Sequence, residues 1–132
     1  MIKPFRLPVR VYYQDTDAGG VVFHAQYLAF MERARTELLN AAGLDIFRMA
    51  EVRRVLILVH EISVKYHQPA RLNDLLSATA EVVKMGRASL VFRQRVERGG
   101  ELLVEADVTL AVVDRDRMQP ARMPPELEQA LK

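Results

Sequence analysis

Between residues 11 and 35 the chain reads VYYQDTDAGGVVFHAQYLAFMERAR. Two carboxylates, Asp15 and Asp17, precede the pair Gly19-Gly20, and His24 follows at the mouth of an amphipathic segment. Free backbone N–H groups at the start of a helix attract negative charge. A carboxylate, an imidazole and a cluster of N–H donors are the parts needed for attack on a carbonyl. Each residue alone has a plainer reading. An aspartate before two glycines commonly sits in a turn, and a lone histidine is commonly a polar loop residue or a hydrogen-bonded core residue. The combination of Asp17, His24 and a helix start points to chemistry. Gly19 and Gly20 permit positive φ and close approach by a ligand. Asp15 is expected to cap or orient the loop rather than react.

Other chemistries lack their residues. The serines Ser63, Ser77 and Ser89 lie in strand-like runs without the flanking glycines of a nucleophile elbow. The histidines His24, His60 and His67 show no zinc-hydrolase spacing, and no cysteine is present, so no metal site is expected. No phosphate-binding glycine motif occurs, and Asp15-Thr16-Asp17 lacks the rest of a calcium loop. No cofactor is therefore expected. The formal charge is +2, and 15 of 19 basic residues are arginine, a side chain suited to phosphate. Interspersed acidic residues argue against a nucleic-acid stripe. The start MIKPFRLPVRV has no apolar leader core, and no run reaches the ~18 apolar residues of a membrane span. A cytoplasmic protein is the expectation.

The elements that would position the site follow from periodicity. Residues 5 to 14 read as a strand, and 26 to 42 as a helix with Tyr27, Phe30, Met31, Ala34, Leu38 and Ala41 along one stripe. Glu32 and Arg35, three apart, are expected to form an ion pair. Gly43 is a C-terminal stop, whereas the start (His24-Ala25-Gln26) has no capping side chain, which leaves N–H groups for a ligand. After an irregular or helical piece (44 to 51), four period-two runs follow: 55 to 66, 75 to 85, 88 to 97 and 102 to 112. Gly99-Gly100 marks a hairpin, and 126 to 132 a terminal helical turn. The architecture expected is α+β: one domain over 1–132, with one long helix wrapped by a curved antiparallel sheet of about five strands. Long edge strands favour oligomers.

The stretch from Tyr12 to Arg35, YYQDTDAGGVVFHAQYLAFMERAR, resembles the signature of hotdog-fold acyl-CoA thioesterases. It is most similar to the YbgC-type branch, associated with the Tol–Pal system, within the wider 4-hydroxybenzoyl-CoA thioesterase family. Val64-Lys65-Tyr66 through Pro69-Ala70-Arg71 and Asp74 resembles the family's next strand and loop more loosely. The resemblance implies a hotdog fold, homodimers or homotetramers, and hydrolysis of acyl-CoA to a free acid and CoA. It places the catalytic aspartate at Asp17, the branch's histidine at His24, and the carbonyl-polarising N–H at or beside His24. Gly19, Gly20, Val21, Val22 and Tyr27 are then the expected substrate contacts. Phe23 stands where many relatives have tyrosine.

In this reading Asp17 acts as a general base on water or as a nucleophile, and His24 orients water or protonates the leaving thiolate. Two rivals remain: a hotdog hydratase or dehydratase, and an adaptor that binds acyl-CoA or acyl carrier protein at the cell envelope.

Overall fold

A computed structural model describes residues 4–132. The leaderless N-terminus expected from the sequence falls partly on residues 1–3, outside the described residues. The elements run β1 (Phe5–Arg10), α1 (Gln26–Ala41), α2 (Ile46–Val52), β2 (Val55–Tyr66), β3 (Leu75–Met85), β4 (Ser89–Arg98), β5 (Glu101–Asp114) and α3 (Pro125–Leu131). The strands form one antiparallel sheet in the order β1-β3-β4-β5-β2, so β1 and β2 are its edges. The expected α+β hotdog architecture, a helix against a curved sheet, is the one observed.

Alternation decides which side chains meet α1. Leu90, Phe92 and Val96 of β4 and Val104, Val108 and Val112 of β5 are buried, as are Leu76, Ala78 and Ala80 of β3. The two alanines keep β3 low, and α1 packs over β3, β1 and β4. Its stripe contributes Tyr27, Phe30, Met31 and Ala34, all nearly solvent-free. Truncating a fully buried side chain such as Phe30 to alanine costs about 3–5 kcal/mol. Register shifts in β2, β3 and β5 add the local twist that lets the sheet curve around the helix. The β4–β5 shift also turns Leu103 inward, and its carbonyl accepts the His67 and Gln68 N–H groups at 2.7 and 3.1 Å.

Three expectations are corrected. β1 ends at Arg10 rather than at 14, because Asp15 accepts the Tyr12 N–H at 2.8 Å and winds Tyr13–Asp15 into a 3-10 turn. The apolar stripe does not reach Ala41, which is exposed; the buried face continues through Arg35 and Leu39. Arg35 does not bond Glu32: its Nη1 donates to Gln94 Oε1 at 2.7 Å inside the core. Gly43, at φ 80°, ends α1 as expected, and Asp45 caps α2 by accepting the Arg48 N–H at 3.0 Å.

Candidate functional site

The site is built by a short chain reversal between β1 and α1. Asp15 anchors it. Only 3% exposed, its carboxylate accepts the Tyr12 N–H at 2.8 Å and the Gln26 Nε2 amide at 2.9 Å, and its carbonyl accepts the Phe23 N–H at 2.9 Å. One buried carboxylate thus ties the end of the first strand to the first residue of α1. Gln26, the other half of that tie, is invisible to motif reading because its partner lies eleven positions upstream.

From Asp15 the chain makes a small hairpin. Thr16 pairs with Val22, the Asp17 N–H donates to the Val21 carbonyl at 2.8 Å, and the Gly20 N–H donates to the Asp17 carbonyl at 3.1 Å. Gly20 closes the tip at φ 81°, a conformation that favours glycine. Gly19 does not use positive φ; a Cβ there would meet Asp17 Oδ1 at 3.3 Å. That oxygen accepts the Gly19 N–H at 2.8 Å, which holds the exposed Asp17 carboxylate in place. The returning strand is fixed by the Val22 N–H, which donates to the Ala70 carbonyl at 2.9 Å, and by a bridge between Val21 and Arg71.

Four residues after Val22, at Gln26, the backbone enters α1. Ala25 is the N-cap, and no side chain caps the helix. The Gln26 N–H donates to the Phe23 carbonyl at 2.8 Å, whereas the His24 and Ala25 N–H groups donate to no backbone acceptor among the described residues. His24 is exposed, with its ring 4.4 Å from that of Phe23 and edge-on to Tyr66 at 6.5 Å. The Tyr66 hydroxyl donates to the His24 carbonyl at 2.9 Å. Of the expected substrate contacts, Gly19, Gly20 and Val21 lie at the surface or partly exposed. Val22 and Tyr27 are 4% and 3% exposed and face the core, so a ligand meets only backbone there in this conformation. The Tyr27 hydroxyl accepts the Ala70 N–H at 2.9 Å, and burial pushes its phenol up.

The neighbouring loop is braced by charge. Burial alone would raise the Asp74 carboxyl, but the Arg71 N–H (2.8 Å) and the Arg98 guanidinium (2.7 Å) outweigh it and hold it below the usual carboxylate range. The loop is laced to the residue that follows β1, the Val11 N–H donating to the Asp74 carbonyl and the Asn73 N–H donating to the Val11 carbonyl. A groove of about 610 Å³ lies elsewhere, between the β3–β4 turn and α3. Asp17 and His24 are both exposed on this chain. Among the described residues no cluster of three or more metal-ligating side chains forms.

The family model for the thioesterase superfamily matches residues 19–105. The chain is 49% identical to the acyl-CoA thioester hydrolase YbgC of Escherichia coli O6:H1, covering 91% of this chain and 90% of the relative. It is 42% identical to the acyl-CoA thioesterase YbgC of Haemophilus influenzae, covering 96% and 93%. Among solved structures it superposes on a probable thioesterase from Bartonella henselae with a TM-score of 0.87 at 30% identity, covering 92% of this chain and 100% of that one.

Proposed function

The chain belongs to the thioesterase superfamily, and we propose that it hydrolyses acyl-CoA thioesters at the hairpin-to-helix junction, with Asp17 supplying the attack. The observation that carries this reading is the junction itself. An exposed carboxylate, held by its own turn, sits on the strand whose partner leads directly into an uncapped helix start. The thioester carbonyl docks against the His24 and Ala25 N–H groups, whose partial positive charge stabilises the oxyanion as it forms. Asp17 activates water or attacks the carbonyl carbon itself, and the thiolate departs. A thiol of ordinary pKa near ~8.5 leaves without strong acid help, so His24 ranks below Asp17.

The edge strand β2 supports a second copy of this chain as the partner that completes the site. It is twelve residues long and leaves Leu58, Val59 and Tyr66 between 38% and 49% exposed on an unpaired edge. Pairing β2 with β2 would continue the sheet and bring a second surface over the open junction. Light scattering should give at least a dimeric mass; a monomer at working concentration contradicts this. No helix among the described residues is long and apolar enough to cross a membrane. Acyl carrier protein as a second thioester donor and a cytoplasmic setting belong to the same proposal.

The test is thiol release from a panel of acyl-CoAs by the wild type and by Asp17→Asn. Release by the wild type and its near-abolition in the variant support the reading. Tight binding without release would instead favour an adaptor, and turnover of enoyl-CoA a hydratase.

A further inference from the structure

The junction contains a side chain that the reaction as described does not use. Tyr66 ends the edge strand β2, forty-two positions from His24, yet its hydroxyl donates to the His24 carbonyl at 2.9 Å. Its ring stands edge-on to the His24 ring at 6.5 Å and to the Tyr27 ring at 5.7 Å. Tyr27 is fixed in turn by the Ala70 N–H at 2.9 Å. Tyr66 is thus wedged between a core aromatic and the candidate site, with its hydroxyl aimed at one backbone atom.

That atom matters because of what lies at the other end of its peptide. In a trans peptide the C=O and N–H point in opposite directions, and this chain has no cis bond among the described residues. Anchoring the His24 carbonyl therefore aims the Ala25 N–H the opposite way. The preceding peptide is set by the same logic: the Phe23 carbonyl accepts the Gln26 N–H at 2.8 Å, which aims the His24 N–H away from the helix. One peptide further back, the Phe23 N–H donates to the Asp15 carbonyl at 2.9 Å. Successive peptides are thus pinned, and the His24 and Ala25 N–H groups, which donate to no backbone acceptor among the described residues, belong to the two whose carbonyls are held. The Phe23 carbonyl is held by a local turn bond available to many sequences. The His24 carbonyl precedes the helix N-cap and is held only by Tyr66 among the described residues.

We propose that Tyr66 is a positioning residue: through the His24 carbonyl it fixes the peptide whose N–H, on Ala25, completes the oxyanion-binding pair with His24. This rests on the thioesterase reading above and adds to it a residue on the edge strand. Pairing of that strand with a second copy would then also set the geometry of the site. Preorganised donors stabilise developing charge because they need not reorient as the reaction proceeds. A freely librating peptide loses part of that advantage while keeping its N–H.

Tyr66→Phe removes the hydroxyl and keeps the wedge. Outright loss of an oxyanion donor lowers kcat by about 10²–10³-fold. Loosening one should cost less, about tenfold in kcat, with KM within a factor of about two and an unchanged melting curve. The second readout is the carbonyl stretch of a bound acyl-CoA analogue in which methylene replaces the thioester sulfur, isotope-labelled at the carbonyl. The wild type should shift this band to lower frequency, and Tyr66→Phe should lose part of the shift. Asp17→Asn should keep the shift while losing turnover. A Tyr66→Phe variant with wild-type kcat and an undiminished shift overturns the proposal. A wild type that neither releases thiol nor shifts the band overturns the thioesterase reading itself, a different outcome.

Discussion

Two polar constellations sit along α1, and they are finished differently. Midway along the helix, Arg35 is 8% exposed and donates to Gln94. Gln94, fully buried, donates in turn to the Met31 and Thr79 carbonyls at 2.9 and 3.0 Å, and the Thr79 hydroxyl accepts the Arg95 N–H at 2.9 Å. Burial lowers the Arg35 guanidinium from its ordinary pKa, with Glu32 partly opposing the shift. Every polar group that joins helix to sheet there has a partner. At the helix start the opposite holds: Asp17 is exposed, no side chain caps the helix, and the His24 and Ala25 N–H groups have no backbone acceptor among the described residues. The first constellation holds α1 on the sheet, and the second leaves donors and an acid for something outside the chain.

This contrast separates stability from activity. Asp17→Asn should lower acyl-CoA turnover about 10³-fold, within the range for a lost general base, and leave the urea midpoint unmoved. A matching fall in stability would place Asp17 in the fold rather than in the chemistry. His24→Ala should cost less than Asp17→Asn in the same assay. Gln94→Leu should do the reverse, destabilising by about 2–3 kcal/mol because Arg35 loses its acceptor in the interior, with normal turnover per folded molecule; an unchanged midpoint would remove the structural role.

The two glycines of the hairpin repeat the contrast on adjacent residues. Gly20→Ala forces φ 81° on an alanine and should cost about 1–2 kcal/mol of stability. Gly19→Ala meets no such strain, but its Cβ lies 3.3 Å from Asp17 Oδ1 and should shift that carboxylate, lowering kcat about threefold. If the two effects exchanged places in melting and rate measurements, the assignment of the turn would be wrong.

The smallest effect belongs to Asp74. Its folded pKa is depressed, so its contribution is present above the unfolded value near ~3.9 and is lost as pH falls through the folded one. Asp74→Asn should destabilise by about 1 kcal/mol at neutral pH, and the difference in urea midpoint should shrink below about pH 4. A difference that persists undiminished in acid would show that charge is not its source.

Much of this was legible in the residues themselves. Period-two runs located β2 to β5, and Gly43 and Gly99-Gly100 marked the end of α1 and the β4–β5 turn because few other residues adopt that backbone. The Asp17–His24 stretch stood out because its parts are close in sequence. What escaped notice depends on partners far apart in the chain. Tyr66 reads as one more strand aromatic until β2 is laid beside the helix start. Arg35 reads as a partner for Glu32 because helix spacing offers that pair, whereas the sheet offers Gln94, fifty-nine positions away. The end of β1 was misplaced because Tyr12 and Tyr13 carry strand propensity, which the buried Asp15 carboxylate overrides.

The central claim is that the acid and the helix-start amides act on one carbonyl. A crystal structure with the methylene-substituted acyl-CoA analogue tests it most directly. The account predicts the analogue's carbonyl oxygen within about 3 Å of the His24 or Ala25 N–H, and Asp17 of the same or the neighbouring protomer touching the carbonyl carbon directly or through one water. A carbonyl turned away from those amides, or an Asp17 farther off than one bridging water in every protomer, would contradict it.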